Sequence, residues 1–265
     1  MSSKRFVKSV LVVFLALLAL APVHAQTFTV LYSFKGGTTD GAHPGWSWTP
    51  VVFAGGNVYG TTIQGGSANC YGGLGCGVLF KVTVATGKEK ILHAFQGTTD
   101  GSSPAAILKA GAAIYGNTEG GSGTLYKWTS TVFTNFSGLP GYPTGLLARD
   151  AAGNIYGTTM TGGGSNVACP SSGCGTVYKI SSTGTVTVLH NFAGPPSDGM
   201  MPFGVIRDAA GNLYGTTSGG GSQCPALYGC GIVYKITSAG TFGVLYNFAG
   251  GRRAVSRGLG ARCSS

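Results

Sequence analysis

Charge is what this chain has least of. Only 9% of its 265 residues are charged, and the acids number seven: Asp40, Asp100, Asp150, Asp198 and Asp208, with Glu89 and Glu119. Glycosidase chemistry needs two carboxylates converging across a bond, and no spacing in this set marks such a pair. Gly-x-Ser-x-Gly, a phosphate-binding Gly-x-x-x-x-Gly-Lys and His-Glu-x-x-His are all missing, so the common hydrolase, nucleotide and zinc-protease signatures are absent. No apolar run of membrane-spanning length follows the N-terminal one. The 48 glycines follow no Gly-X-Y period, which excludes a collagen helix.

The formal charge of +10 does not describe the body of the chain. Lys4, Arg5 and Lys8 precede the apolar run Val10 to Leu20, and Val23-His24-Ala25 has the small-x-small form of a cleavage site. Residues 1–25 therefore read as a secretory signal peptide, with a mature chain starting at Gln26. Without a cysteine at the cleavage site, a lipid anchor is not expected. Arg252, Arg253, Arg257 and Arg262 lie in a C-terminal tail. Between them remain ten basic and seven acidic residues, with no basic stripe, so no nucleic-acid partner is expected.

What the chain has is repetition. Arg149-Asp150-Ala151-Ala152-Gly153-Asn154-Ile155-Tyr156-Gly157-Thr158-Thr159 returns as Arg207-Asp208-Ala209-Ala210-Gly211-Asn212-Leu213-Tyr214-Gly215-Thr216-Thr217, with looser copies at 56–62 and 113–118. The tyrosines at 59, 115, 156 and 214 are 56, 41 and 58 residues apart, and the short step falls where repeat two lacks a cysteine-containing loop. Each repeat reads as four short strands. An apolar strand follows a proline, Asp-x-x-Gly-Asn supplies the hairpin turn, and the Tyr-Gly-Thr-Thr strand comes next. A strand such as Gly175 to Lys179 and one ending in Leu-(Tyr/His)-x-Phe complete the set, each with the period-two alternation of β structure. Four antiparallel strands per repeat of this length predict an all-β, β-propeller-like array of about four blades over residues 26–251.

Thr27 to Phe34 reads as one extra leading fourth strand without a repeat of its own. After Phe248 the pattern begins again as Ala249-Gly250-Gly251, then gives way to the arginines. Residues 252–265 are expected to be a disordered, atypical tail, and the array to be an incomplete or truncated propeller.

The ordered blocks Asp-x-x-Gly-Asn-Leu-Tyr-Gly-Thr-Thr, Gly-Thr-Val-Tyr-Lys-Ile and Val-Leu-Tyr-x-Phe resemble the GloVer tandem repeat over roughly residues 27 to 250. The resemblance implies bacterial export, a propeller-like β array and kinship with "choice-of-anchor" surface proteins, and it carries over no catalytic residue. The chain departs from that family in lacking a recognisable C-terminal sorting anchor.

Candidate sites are few. Cys70 and Cys76, Cys169 and Cys174, and Cys224 and Cys230 lie in the loop between second and third strands, the pattern of three local disulfides in an exported protein. Cys263 is left over. Asp40, Asp100 and Asp198 occupy equivalent Asp-Gly loops; a turn role is favoured over a cation or ligand ring. His93 and His190 share a position with Tyr32 and Tyr246, which favours packing over catalysis. Trp46 and Trp48 are peculiar to the first repeat; they could stack on sugar rings, but the favoured reading is that they cap an exposed first blade by burying large apolar area. No cofactor is expected. The reading is an exported binding or structural module whose partner is a protein or a glycan, and the alternative is a carbohydrate-active propeller enzyme, a lyase or hydrolase.

Overall fold

The computed structural model describes residues 27–45, 50–67, 69–98, 100–120, 123–130, 132–136, 139–164, 168–222 and 229–249. The expected signal peptide, the arginine tail, Trp46, Trp48, Cys224 and Cys263 lie outside them. Residues Met1–Leu31 form one unit, of which 27–31 are described and carry no strand; Tyr32–Ser265 form the second.

The second unit is all-β. Its first sheet holds β1 (Gly41–Pro44), β2 (Val52–Ala54), β3 (Asn57–Gly65), β4 (Val78–Thr83) and β5 (Lys88–Ala94). The second holds β6 (Ser102–Ala110), β7 (Ala113–Gly120), β8 (Thr124–Thr129) and β9 (Val132–Phe136). The third holds β10 (Pro143–Arg149), β11 (Ile155–Thr159), β12 (Thr176–Ile180) and β13 (Val186–Asn191). The fourth holds β14 (Gly199–Arg207), β15 (Leu213–Gly220), β16 (Ile232–Ile236) and β17 (Phe242–Asn247). Within each sheet the strands pair antiparallel in chain order, and β1 and β2 both pair with β3 as two halves of one first strand.

The expected turn chemistry sets the first hairpin. In the third sheet the Asp150 carboxylate accepts the Asn154 amide at 2.9 Å, and the Gly153 amide donates to the Asp150 carbonyl at 3.1 Å. The Asp208 turn repeats this geometry. Gly153 and Gly211 sit at φ +88° and +91°, where a Cβ would be strained.

One register relation explains the Tyr-Gly-Thr-Thr block. Gly157 lies opposite Tyr178, Gly215 opposite Tyr234, Gly116 opposite Tyr126 and Gly60 opposite Phe80. Directly opposite residues share a face, so the glycine leaves room for the ring lying across it. A Cβ at Gly157 would come within 2.5 Å of the Tyr178 hydroxyl, and one at Gly60 within 2.6 Å of Phe80.

Tyr126, Tyr178 and Tyr234 lie in the joints between sheets. Leu79 and Phe95 of the first sheet bury Ile107, Ile114 and Tyr126 of the second. Tyr115 and Leu125 meet Leu147, Ile155 and Tyr178 of the third. Val177 and Phe192 meet Val205, Ile232 and Tyr234 of the fourth. The sheets neighbour one another through β3, the second strand of the first sheet, with β6, and through the first strands β6 with β10 and β10 with β14. The result is a row of antiparallel sheets, the last three four-stranded, packed face to face, which makes the array β-propeller-like.

The leading segment departs from expectation. Residues 27–36 form no strand. Its rings keep their packing role nonetheless. Phe34 meets Phe80 edge-on at 4.8 Å, as Phe95 meets Tyr126 and Phe192 meets Tyr234, each at 5.2 Å.

Candidate functional site

The Asp-Gly corners are where sequence placed a possible ring of carboxylates, and each of these carboxylates is occupied by its own loop. Asp40 accepts the Lys35 amide at 2.8 Å and the Gly41 amide at 2.7 Å. Asp100 accepts the Gln96 amide at 3.0 Å, and Asp198 accepts those of Ala193 and Gly199 at 3.0 and 2.7 Å. All three side chains are buried.

Each carboxylate takes a further bond from the Tyr-or-His position that precedes it. The Tyr32 hydroxyl donates to Asp40 at 2.8 Å, His93 Nε2 to Asp100 at 2.9 Å and His190 Nε2 to Asp198 at 3.0 Å. An ionised carboxylate only accepts, so Nε2 carries the proton. The Tyr-or-His position and the Asp-Gly corner, read separately above, are thus one clasp. Their near-constant separation of eight, seven and eight residues was the signal that could have revealed it. The imidazoles also reach the following sheet: His93 stacks on Phe133 at 3.8 Å and His190 on Phe242 at 3.7 Å. The packing role expected for this position is what the geometry describes.

The clasp leaves an electrostatic mark. The hydrogen bond to Asp40, with burial second, pushes the Tyr32 phenol up to about 12. Burial acts to raise Asp100, but bonds from His93 and the Gln96 amide outweigh it and hold the carboxyl below its usual range. A depressed native pKa gives stability that is present above the unfolded value near 3.9 and is lost as pH falls through the native one. Asp100→Asn should therefore lower the thermal midpoint at pH 7 and flatten its decline between about pH 4 and 2. An unchanged acid profile in calorimetry would remove Asp100 from the linkage.

A second set of aspartates closes the first hairpin. Asp150 accepts Asn154 Nδ2 at 2.7 Å and the Tyr156 hydroxyl at 2.9 Å; Asp208 accepts Asn212 Nδ2 at 2.8 Å and Tyr214 at 3.1 Å. Burial acts to raise Asp150 and is outweighed by these bonds together with the charge of Arg207 from the fourth sheet. Bonds from Asn212 lead in lowering Asp208.

Two of the three expected disulfides are present as paired, Cys70–Cys76 and Cys169–Cys174, with Cα atoms 5.0 and 5.3 Å apart. Cys230 is also disulfide-bonded, while its expected partner Cys224 is outside the described residues. Cys76 and Cys174 are fully buried in the joints after the first and third sheets, so each bridge ties a surface loop to an apolar core.

The remaining candidates do not converge. Glu89 is in β5 and Glu119 in β7, on different sheets. Burial, and behind it the charge of Asp40, raises the Glu89 carboxyl. Among the described residues no three His, Cys, Asp or Glu side chains group to hold a metal ion. A cleft of about 260 Å³ opens on the fourth sheet, lined by Leu146, Phe203, Ile206, Tyr214, Thr216 and Val233. It is apolar and carries no carboxylate.

No curated protein matches the chain. Among solved structures, a Bacteroides thetaiotaomicron protein described as a structural genomics protein of unknown function is similar with a TM-score of 0.50 and 14% identity, over 82% of this chain and 47% of that one. A chain of a nidogen/laminin complex has a TM-score of 0.48 and 16% identity, over 72% of this chain and 60% of that one. This chain thus spans less than two thirds of either, and the likeness concerns the fold alone. Residues 68–262 match the Gloeobacter/Verrucomicrobia repeat. That match takes in well over half of the sequence, with the His93–Asp100 and His190–Asp198 clasps and the cysteine loops of the first, third and fourth sheets, and the chain belongs to the Gloeobacter/Verrucomicrobia repeat family.

Proposed function

We propose that the protein is an exported, non-catalytic repeat scaffold that binds a protein or a glycan, or builds a surface structure, outside the cytoplasm. The observation that carries this reading is the use made of the acids. All five aspartates spend their oxygens on backbone amides or neighbouring side chains of their own turns. Export is supported by the leader-like residues 1–25 and by disulfides, which persist in oxidising compartments. Expression of the full gene in a bacterial host, followed by intact-mass analysis, is the test. The expected product starts at Gln26, is found outside the cytoplasm and has its loop cysteines oxidised. A cytoplasmic, uncleaved and reduced product would sink the proposal.

Trp46 and Trp48 are the glycan-stacking candidates. Replacing both by Ala should abolish any binding detected on a polysaccharide array. Retained binding would remove them from the site. One observation favours the enzymatic alternative, a carbohydrate-active lyase or hydrolase. Burial raises the Glu89 carboxyl and the charge of Asp40 adds to it, the direction a general acid needs. Polysaccharide turnover lost in Glu89→Gln would establish that reading.

A further inference from the structure

Three times in this chain the outward face of one sheet is covered by the next, and each time the same positions do it. Leu79, Leu125 and Val177 are fully buried. Beside them a polar side chain bonds across the joint: Thr61 Oγ1 donates to the Ala105 carbonyl at 2.8 Å, Asn117 Nδ2 to that of Gly145 at 3.3 Å, and Thr158 Oγ1 accepts the Gly204 amide at 2.8 Å. In the first and third joints a cation at the end of the incoming first strand completes the contact. Lys109 lies 5.0 Å over the Tyr59 ring, and Arg207 faces Asp150 and Tyr156.

The fourth sheet has the same outward face, and among the described residues nothing of that kind lies on it. Val233, at the register position of Val177, is only partly buried. Thr216, at the position of Thr158, is exposed. Ile206 is 63% exposed, whereas Ala148 at its position is 9% exposed. Leu245 and Tyr246 are 55% and 56% exposed. The Asp208 corner, bonded internally like that of Asp150, adds a carboxylate at the rim.

We propose that this outward face of the fourth sheet is a docking surface for a further sheet of the same repeat type, one that carries Lys or Arg at the end of its first strand. Continuity with the three established joints sets the apolar match, and the Asp208 carboxylate sets the charge. The first sheet of a second copy does not meet the specification. At the position of Lys109 and Arg207 it presents Phe53, and its own inward ring Phe80 is already covered by Phe34.

The test inserts a second copy of residues 193–248 directly after Phe248, leaving the rest of the full chain intact. The inserted sheet should raise the thermal midpoint by several degrees. Ile206→Glu should shift the natural chain by less than about 1 °C and the lengthened chain by more than about 5 °C, since only there is the side chain buried. Glu in the inserted counterpart of Arg207 should remove part of the gain. An equal effect of Ile206→Glu in both chains overturns the proposal. If the lengthened chain does not fold, the natural chain still decides. It should bind a hydrophobic fluorescent dye at this face, and Ile206→Glu should cut the signal at least two-fold. An undiminished signal, or sedimentation of the natural chain as a dimer that Ile206→Glu dissociates, would also overturn the proposal.

Discussion

Tyr178→Ala is expected to cost about 3–5 kcal/mol, the range for deleting a large buried ring, and to lower the thermal midpoint by roughly 10 °C for a domain of this size. The ring is fully buried in the joint between the second and third sheets, against Ile155, Ile180 and Leu147. Removing it opens a cavity that two independently hydrogen-bonded sheets cannot close. The hydroxyl contributes differently from the ring. It is buried without a hydrogen-bond partner in the protein, as are those of Tyr126 and Tyr234. Removing an unpaired buried hydroxyl is neutral or favourable, so Tyr178→Phe should be tolerated, and the first sheet already uses Phe80 at this position. Gly157→Ala tests the other side of the same contact and should cost about 1–3 kcal/mol through overpacking. Denaturant titration of the three variants checks the set. A Tyr178→Ala protein within 1 kcal/mol of the parent would mean that the sheets do not depend on the joint.

Loss of the bridges is the second large effect. Cys70–Cys76 and Cys169–Cys174 close short loops, with sequence separations of six and five. Each should contribute about 2 kcal/mol by restricting the unfolded chain. The two lie in different joints, so their losses should add. The combined variant Cys76→Ser, Cys174→Ser should lose about 4 kcal/mol or somewhat more, because each serine also buries a hydroxyl in an apolar core. Guanidinium midpoints with and without reductant provide the comparison. An identical midpoint, with free thiols confirmed by labelling, would show that the loops need no staple.

Local patterns carried most of the architecture. The Asp-x-x-Gly-Asn turns, the strand that follows each, and the pairing of cysteines within one loop are all short-range features, and each is found where its residues place it. The fourth strands were less legible. Phe136 pairs with Leu125, as His93 pairs with Leu79 and His190 with Val177, so the ring at the end of β9 holds the histidine position and not that of Phe95. A bulge in β4–β5 and β12–β13, absent from β8–β9, shifts the count. Two aromatic residues in a short strand give no hint of it.

Residue order by itself determined that this protein is a row of small antiparallel sheets with stapled loops, because turn preference and two-residue alternation act over a few neighbours. Only the tertiary structure decided what the repeats do to one another. It showed that the glycine of Tyr-Gly-Thr-Thr exists for the ring across from it, that Tyr32, His93 and His190 are held by the aspartates of the next corner, and that the fourth sheet keeps an outward face built like a joint. Those relations join residues whose side chains meet only after strands pair and sheets stack, and burial, which depends on everything packed around a residue, cannot be read from its neighbours in the chain.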